Sequence, residues 1–278
     1  MSMEGKICIV TGANSGIGKA TAIGLAKMNA TVIMLCRSKE AGEEAQKEII
    51  ELTGNNKVDL MLCDLSSQKE IRNFAIEFQK KYKNLHVLIN NAGVMKKQGT
   101  ESTDGYEMNF AVNHLAPFLL TNLLLEILKK SAPSRVINVS SAAHRMAKLD
   151  FDDLQSKNKK MRLMTIYGNS KLALMLVSYE LCRRLEGTKV TVNTVHPGMI
   201  DTNLGRDMSK FSQKFGKSLF KKPDVGAETS IYLASSSEVE GITGKYYTKK
   251  EQKQASKECY DEENAKKLWK ITEEMTGL

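Results

Sequence analysis

Short apolar stretches alternate with longer amphipathic stretches over the first 195 residues of the chain. The short stretches are rich in Val, Ile and Leu, a pattern typical of strands that are buried on both faces of a parallel sheet. The longer stretches have the spacing of helices that connect such strands. The predicted strands span 6–10, 31–36, 58–63, 86–90, 135–139 and 189–195, and the predicted helices span 16–28, 39–53, 67–82, 105–130 and 166–186.

The last third of the chain is less regular. A polar and basic stretch occupies 202–222, a helix is predicted near 224–236 and a strand near 243–247, and a lysine-rich connection leads to a helix near 261–275. None of these segments is large enough for a second domain. The repeated order of strand, helix and strand predicts one α/β domain with a doubly wound, seven-stranded parallel sheet and helices on both faces.

Composition and charge exclude several classes of protein, but they do not identify a reaction. Of the 278 residues, 41% are hydrophobic and 26% are charged, which excludes a disordered chain or a fibre. No signal peptide or membrane span is evident, so we expect a cytoplasmic protein. The five cysteines form no Cys-x-x-Cys motif, and we expect reduced packing residues and no metal site. The net charge of +9 is spread along the chain without a nucleic-acid motif, which favours a solvated surface.

The first predicted strand runs into a glycine-rich turn, Thr11–Gly18, and a helix follows. The glycines allow a phosphate to approach the backbone, and the first N–H groups of the helix point at the anion. The order of strand, turn and helix favours a dinucleotide site over a tight turn without a ligand. The residues predicted to bind the dinucleotide here are Gly12, Asn14, Ser15, Gly16, Ile17 and Gly18.

The ends of the second and third strands bear on the choice of cofactor. An acidic residue at the end of the second strand would bind the ribose 2′-hydroxyl. This chain has Arg37 and Ser38 there, which can bind a 2′-phosphate and favour NADP(H) over NAD(H), unless Arg37 is only a solvated residue at the helix start. Asp64 and Leu65 follow the third strand and can contact the adenine; alternatively, Asp64 caps the next helix.

A proton-transfer pair is predicted on the fifth helix. Tyr167 and Lys171 lie four residues apart and share one helix face. A nearby ammonium, together with a positively charged nicotinamide ring, favours the phenolate and lets tyrosine act as a general acid or base near neutral pH. Taken alone, a tyrosine four residues before a lysine is a weak signal, because such pairs occur often by chance in a lysine-rich chain.

Polar and small residues at the ends of two strands strengthen that signal. Ser140 and Ser141 end the fifth strand, at the edge of a parallel sheet where substrates bind. Asn113 lies in a predicted helix, where asparagine is mildly disfavoured; a role at the site or a hydrogen bond that tethers neighbouring strands would explain it. The fourth strand ends in Asn90 and is followed by Asn91, Ala92 and Gly93, which are predicted to bind the cofactor.

These motifs, in this order, resemble the short-chain dehydrogenase/reductase family over essentially the whole chain. With His196–Pro197–Gly198, they imply a single Rossmann domain with a cofactor-binding and catalytic core at 1–195, a substrate lid at 198–222 and a C-terminal helical extension at 250–278. The family surface implied for a homodimer or homotetramer lies on the helices near 105–130 and 166–186.

The resemblance also implies a role for each catalytic residue. Tyr167 would transfer a proton to or from the substrate oxygen, and Lys171 would bind the nicotinamide ribose and lower the pKa of the tyrosine. Ser141 would hold and polarise the carbonyl, and Asn113 would hold a water molecule in a proton relay. Hydride would pass between the nicotinamide and the substrate carbon. The residues that match the family segment packed on the nicotinamide are Pro197, Ile200 and Thr202.

Other features resemble the retinol dehydrogenase-like branch, which implies a lipophilic carbonyl or alcohol substrate. Tyr167 follows Ser141 by 26 residues, a longer separation than is usual in the family. Two features depart from that branch. Ala116–Pro117 stands where the branch has Gly-His, which predicts different contacts beside Asn113. We also expect no N-terminal membrane anchor of the kind common in the branch, so the protein is either soluble or meets lipids in another way. Further segments that carry the resemblance are Val112–Leu115, Ser140–His144, Phe151–Leu154, Gly244–Tyr247 and Ala265–Trp269.

The basic segment 208–222 has two interpretations. Apolar residues recur at helical spacing with lysines between them, so the segment could lie on a membrane surface as an amphipathic helix. It also coincides with the lid of the family, and a lid whose lysines face water is favoured. The residues concerned are Met208, Phe211, Phe215 and Leu219, with Lys210, Lys214, Lys217 and Lys221.

Three functions agree with the sequence. The favoured one is an NADP(H)-dependent oxidoreductase that interconverts a lipophilic aldehyde or ketone and an alcohol. The alternatives are a C=C reductase resembling light-dependent protochlorophyllide reductase, and a non-catalytic dinucleotide sensor or scaffold on the same fold. The intact set of catalytic residues argues against a sensor, because a binding module needs no proton relay.

Overall fold

The apolar stretches of the sequence form one eight-stranded sheet. In the computed structural model, which describes residues 2–158, 160–200 and 221–278, the strand order is β3-β2-β1-β4-β5-β6-β7-β8. Strands β1 to β7 are parallel to their neighbours, and β8 is antiparallel. The strands are β1 (Ile7–Thr11), β2 (Thr31–Cys36), β3 (Val58–Leu62), β4 (Val87–Asn90), β5 (Ser134–Val139), β6 (Val190–Val195), β7 (Lys245–Thr248) and β8 (Glu251–Lys253).

The order of the strands reverses beside β1, which fixes where a ligand can bind. The chain moves outward from β1 to β2 and β3, then returns to β4 on the other side, so that Val10 pairs with both Met34 and Ile89. The loops that leave the carboxyl ends of β1 and β4 therefore diverge, and a crevice opens between them. The predicted doubly wound α/β fold is confirmed.

The prediction of seven strands is wrong by one. The additional strand, β8, forms a hairpin with β7 in which Tyr246 pairs with Lys253. Lys249 and Lys250 connect the two strands with positive φ angles of 53° and 63°, the backbone of a two-residue hairpin turn. The residues of β8 are exposed and polar, so no apolar pattern marks this strand in the sequence.

Helices pack on both faces of the sheet, close to the predicted positions. None of those that the structure describes is long and apolar enough to cross a membrane. Most of the predicted lid, 198–222, and of the amphipathic segment 208–222 lies outside the described residues. The helices are α1 (Gly16–Lys27), α2 (Lys39–Thr53), α3 (Gln68–Lys81), α4 (Met108–Phe110), α5 (Ala116–Leu123), α6 (Leu125–Lys130), α7 (Leu163–Arg184), α8 (Pro223–Ser235) and α9 (Glu262–Thr276).

The prediction of one helix over 105–130 is wrong. The segment becomes helical at α4 and continues through a π-helical turn, Ala111–Leu115, into α5 and α6. Pro117 has no backbone N–H, so the carbonyl of Asn113, four residues earlier, lacks its α-helical donor. The π turn accommodates this gap and places Asn113 in the widened part of the helix.

Alternate residues of the strands face two separate apolar layers. In β1, Ile9 packs in the layer formed by α3, α5, α7 and α9, whereas Cys8 and Val10 pack in the layer formed by α1, α2 and α8. Strands that are buried on both sides need apolar residues at nearly every position, which explains their continuous apolar sequences.

The last helix completes the first of these layers. Trp269 of α9 packs edge-on against Phe118 of α5, with the ring centroids 4.7 Å apart. The guanidinium of Arg72 on α3 donates hydrogen bonds to the carbonyls of Thr276 and Gly277 at the end of α9. Because α9 also packs along α7, it covers part of the surface implied for a dimer or tetramer.

Candidate active site

The glycine-rich turn after β1 requires glycine at three positions. Gly12 and Gly16 have positive φ angles of 68° and 54°, which strain other residue types. A Cβ atom on Gly18 would come within 2.2 Å of the Gly12 carbonyl oxygen, so only glycine fits there. The first turn of α1 therefore packs directly on the loop.

The amino end of α1 has the features of an anion site. Within the described part of the chain, its N-cap residue Ser15 makes no side-chain capping bond, whereas Ser38 and Ser67 cap α2 and α3 through their hydroxyls. The first N–H groups of α1 are therefore available to a ligand, and the helix dipole favours a negative one. This turn fits the pyrophosphate of a dinucleotide.

The loop after β4 lies between this turn and the predicted catalytic residues. The side-chain amide of Asn91 donates a hydrogen bond of 2.8 Å to the carbonyl oxygen of Thr11. A Cβ atom on Gly93 would come within 3.2 Å of the side-chain oxygen of Asn113 and 3.4 Å of Lys171 Nζ. The small residues predicted to bind the cofactor thus adjoin both parts of the site.

The end of β2 presents an exposed arginine. Arg37 is followed by Ser38, whose hydroxyl accepts a hydrogen bond of 3.3 Å from the Ala41 N–H. Among the described residues, no carboxylate forms an ion pair with Arg37. Burial raises the pKa of the preceding Cys36 thiol to about 11, which keeps that thiol uncharged. The guanidinium is the charged group that an anion would meet here.

Asp64 holds the turn before α3 but is not its N-cap. One carboxylate oxygen accepts hydrogen bonds from the N–H and the hydroxyl of Ser66, each at 2.8 Å. Ser67 is the N-cap residue of α3, so the alternative that Asp64 caps this helix is wrong. A contact of Asp64 and Leu65 with adenine stays a prediction.

Tyr167 and Lys171 are buried on one face of α7. Lys171 Nζ lies 5.9 Å from the centre of the Tyr167 ring and donates a hydrogen bond of 2.9 Å to the Val139 carbonyl oxygen. Burial lowers the pKa of Lys171 to about 8 and raises the pKa of Tyr167 to about 12, because each charged form is poorly solvated. Among the protein's own groups, Ser141 opposes the increase in the tyrosine pKa.

Ser141 stands where β5 passes into a 3-10 turn, Ala142–Met146. Its hydroxyl accepts a hydrogen bond of 3.2 Å from the Ala143 N–H, and the same side chain acts on the Tyr167 hydroxyl to lower its pKa. A Cβ atom on Gly168 would come within 2.8 Å of the Ala143 carbonyl oxygen, so α7 packs closely on this turn. The structure thus brings Ser141 and Tyr167 together at the carboxyl edge of the sheet.

Asn113 tethers the loop after β4. Its side-chain oxygen accepts a hydrogen bond of 2.8 Å from the Val94 N–H, and its amide donates to the Val94 carbonyl and to the Ser170 hydroxyl, both at 2.9 Å. The tether that the sequence offered as an alternative is therefore present, with a loop and a helix as partners rather than strands. A water relay at Asn113 stays a prediction.

Asn109, which sequence reasoning missed, makes the same pair of bonds one helical turn earlier. Its side-chain oxygen accepts from the Lys96 N–H and its amide donates to the Lys96 carbonyl, both at 2.8 Å. Met95, between the two tethered loop residues, packs against Tyr167. Asparagine is mildly disfavoured inside a helix, so the sequence argument that singled out Asn113 applies equally to Asn109.

The segment after β6 approaches the glycine-rich turn. A Cβ atom on Gly226 of α8 would come within 2.7 Å of Ile200 and 3.0 Å of Ile17. Pro197 lies in the same segment, and Thr202 lies outside the described residues. In the parts of the chain that the structure describes, no three His, Cys, Asp or Glu side chains are grouped to hold a metal ion.

Comparisons with known proteins agree with this geometry. The family model for short chain dehydrogenases matches residues 6–213. Human retinol dehydrogenase 13 is 44% identical over 285 residues, which cover 100% of this chain and 86% of that protein. The structure of an uncharacterized protein from Mycobacterium paratuberculosis has a TM-score of 0.81 and 32% identity, covering 99% of this chain and 95% of that one. The NADP active-site complex of Pseudomonas aeruginosa RhlG has a TM-score of 0.72 and 26% identity, and the match covers 88% of this chain and 94% of that one.

The chain belongs to the short-chain dehydrogenase family. Its fold and site define an oxidoreductase of alcohols and carbonyl compounds with a nicotinamide dinucleotide as cofactor. Within the family the chain is retinol dehydrogenase-like.

Proposed function

We propose that the protein is an NADP(H)-dependent oxidoreductase that interconverts a lipophilic carbonyl compound and its alcohol, of the retinal and retinol class. The observation that carries the proposal is the meeting of Ser141, Tyr167 and Lys171 at one edge of the sheet, beside a helix start that lacks a side-chain cap. The names of the relatives support the substrate class.

Tyr167 is the proton donor or acceptor in this proposal. Its hydroxyl donates a proton to the carbonyl oxygen during reduction and accepts one from the alcohol during oxidation. Ser141, whose side chain acts on the same hydroxyl, donates a hydrogen bond to the substrate oxygen and orients it. Because burial raises the pKa of Tyr167, the phenol is protonated at neutral pH and can act as an acid. Positioned proton transfer of this kind accelerates a reaction ~10²–10⁴-fold.

The residues around the glycine-rich turn would hold the dinucleotide. Bound NADP(H) would supply or accept the hydride, and its oxidised ring would add a positive charge near the site. The N–H groups of Gly16 and Ile17 would bind the pyrophosphate, and Arg37 a 2′-phosphate. Lys171 lies next to Gly93, where it can donate hydrogen bonds to ribose hydroxyls, and Asn113 would hold a water molecule that exchanges protons with it.

The rim of the site favours a lipophilic substrate. Met95 and Leu163 pack around the catalytic tyrosine. Three exposed methionines, Met146, Met164 and Met199, lie in the segments that carry the site: the 3-10 turn after Ser141, the start of α7 and the loop after β6. Exposed apolar side chains in a functional region indicate a surface that an apolar ligand covers, and methionine adapts to irregular ligands.

Formation of retinol from all-trans-retinal, with NADPH as reductant and chromatographic detection, tests the proposed reaction. We expect turnover by the native protein and a loss of at least ~100-fold in kcat in Tyr167→Phe, which lacks the transferable proton. Tyr179→Phe is the matched control, because it removes a buried hydroxyl from the same helix away from the site. Full activity in Tyr167→Phe would contradict the mechanism, and NADPH binding without turnover of any carbonyl would favour the sensor.

Arg37→Ala tests the cofactor preference. Loss of a charged hydrogen bond to a 2′-phosphate weakens binding by ~1.5–3 kcal/mol, so we expect the KM for NADPH to rise about 10- to 100-fold while that for NADH stays constant. Lys39→Ala, an exposed cation at the start of α2, is the control. An equal KM for NADPH in Arg37→Ala and the native protein would contradict the assignment.

A further inference from the structure

A buried histidine joins the segment of Ser141 to the C-terminal part of the chain. His144 is inaccessible to solvent and lies in the 3-10 turn that follows Ser141. Its Nδ1 atom is 2.6 Å from the Ser141 carbonyl oxygen, and its Nε2 atom is 3.2 Å from the backbone nitrogen of Ser256. Its ring packs edge-on against Tyr246, with the centroids 5.2 Å apart. Both ring nitrogens thus have backbone partners, from segments 115 residues apart in sequence.

The partners determine the tautomer of His144. The Ser256 N–H can only donate, so Nε2 must be the unprotonated acceptor. The proton of the neutral ring is then on Nδ1, which donates to the Ser141 carbonyl. A ring with a proton on Nε2 would place two donors against each other at Ser256.

The bridge restrains the part of Ser141 that aims its side chain. The Ser141 carbonyl accepts from the His144 backbone N–H at 3.2 Å as well as from the imidazole. The neighbouring Arg145 donates to the Gln254 carbonyl, so two consecutive side chains attach this turn to the same C-terminal segment. Because these bonds hold the Ser141 carbonyl, they restrain the backbone at Ser141 and thereby fix the direction in which its Cα–Cβ bond points.

We propose that His144 is a positioning residue for Ser141, which it holds by bridging the Ser141 carbonyl to the Ser256 N–H as the Nδ1–H tautomer. The inference rests on the proposed function of Ser141 but not on the identity of the substrate. His144 does not touch the reacting atoms and acts through the backbone of the serine.

The tautomer is tested by NMR on protein labelled with ¹⁵N-histidine. The chain has four histidines, and the signal of His144 is assigned by its loss in a His144 variant. We expect a protonated Nδ1 and an unprotonated Nε2 in the native protein. The Nε2–H tautomer, or a ring that exchanges between the two, would overturn the bridge.

Two substitutions separate the two ends of the bridge. His144→Asn keeps a donor near the position of Nδ1, whereas His144→Gln keeps an amide near the position of Nε2. Because misplacement of a reacting group by about 1 Å can cost ~10²-fold, we expect kcat for retinal to fall about 10- to 100-fold in His144→Gln and much less in His144→Asn. The KM for NADPH should change less than about threefold, because the glycine-rich turn is untouched.

His86→Gln is the control, since its imidazole also binds a backbone group, the Ile7 N–H at 3.0 Å, away from the site. A native kcat in His144→Gln would overturn the proposal. Equal losses in both His144 variants, with equal decreases in their unfolding midpoints, would reduce His144 to a structural role and also overturn it. A native protein that turns over no carbonyl would overturn the proposed function instead, and the NMR spectrum would still decide on the bridge.

Discussion

Asn109 and Asn113 hold alternate residues of one loop from the same side of a helical segment. Each side-chain amide accepts a hydrogen bond from the N–H and donates one to the carbonyl of its partner, Lys96 for Asn109 and Val94 for Asn113. The two side chains thereby form hydrogen bonds with the loop backbone of the kind that a neighbouring strand would form. Met95, between the two partners, packs with its side chain against Tyr167.

Asn109→Ala should weaken both the fold and the substrate site. The N–H and carbonyl of Lys96 would lose their partners, which lowers the free energy of unfolding by ~1–3 kcal/mol. The freed loop would let Met95 move, so we expect a higher KM for retinal than in the native protein. Urea unfolding and steady-state kinetics measure the two effects. Asn122→Ala is the control, because that amide donates within its own helix, and equal effects of the two variants would contradict the role of Asn109.

Lys171→Met should stabilise the protein in a pH-dependent way. Burial lowers the pKa of Lys171 from 10.5 to about 8, so between these values the folded state binds fewer protons than the unfolded state. The cost of burying the charge is therefore present in full below pH 8 and decreases as the pH rises toward 10.5. We expect the inactive variant to exceed the native protein by about 3 kcal/mol in unfolding free energy at pH 7.

At pH 10 the same comparison should give a much smaller difference, because most of the burial cost has disappeared from the native protein. Urea unfolding of both proteins without cofactor measures this difference in unfolding free energy. The contributions of groups that titrate equally in the two proteins cancel in the difference. An advantage of the variant that is constant from pH 7 to pH 10 would show that folding does not lower the pKa of Lys171.

Arg72→Ala should loosen the last helix. The carbonyls of Thr276 and Gly277 would lose their donor, and we expect a decrease of ~1–3 kcal/mol in unfolding free energy, with faster amide exchange in α9. Lys69→Ala removes an exposed cation from the same helix and should leave both quantities unchanged. Similar exchange rates of α9 in the two variants would show that Arg72 does not stabilise the helix.

The strands and the cofactor turn could be predicted because their signals are local. An apolar run of β1, followed by Gly12, Gly16 and Gly18, specifies a strand, a turn and a helix without information from distant residues. The pair Tyr167 and Lys171 could be placed on one face because four residues make about one helical turn. Each of these inferences depends on neighbours in sequence.

The features that sequence reasoning missed depend on distant or polar partners. The polar strand β8 exists because it pairs with β7, and its own residues show no apolar alternation. The π-helical turn before α5 follows from Pro117 within a run that otherwise has the pattern of one helix. The bridge of His144 depends on a hydrogen bond with Ser256, which lies 112 residues away in the sequence, and no local pattern predicts such a contact.

The packing of α9 means that the apolar layer around Phe118 closes only after residues 262–276 have been synthesised. Its contacts reach far back along the chain: Thr272 meets His114 across 158 residues, and Thr276 meets Arg72 across 204. On the ribosome, the strands and α7 emerge while the helix that covers them is still untranslated. The apolar surface around Phe118 therefore stays exposed until α9 has emerged, and a chain that stops before α9 would offer that surface to chaperones or to aggregation.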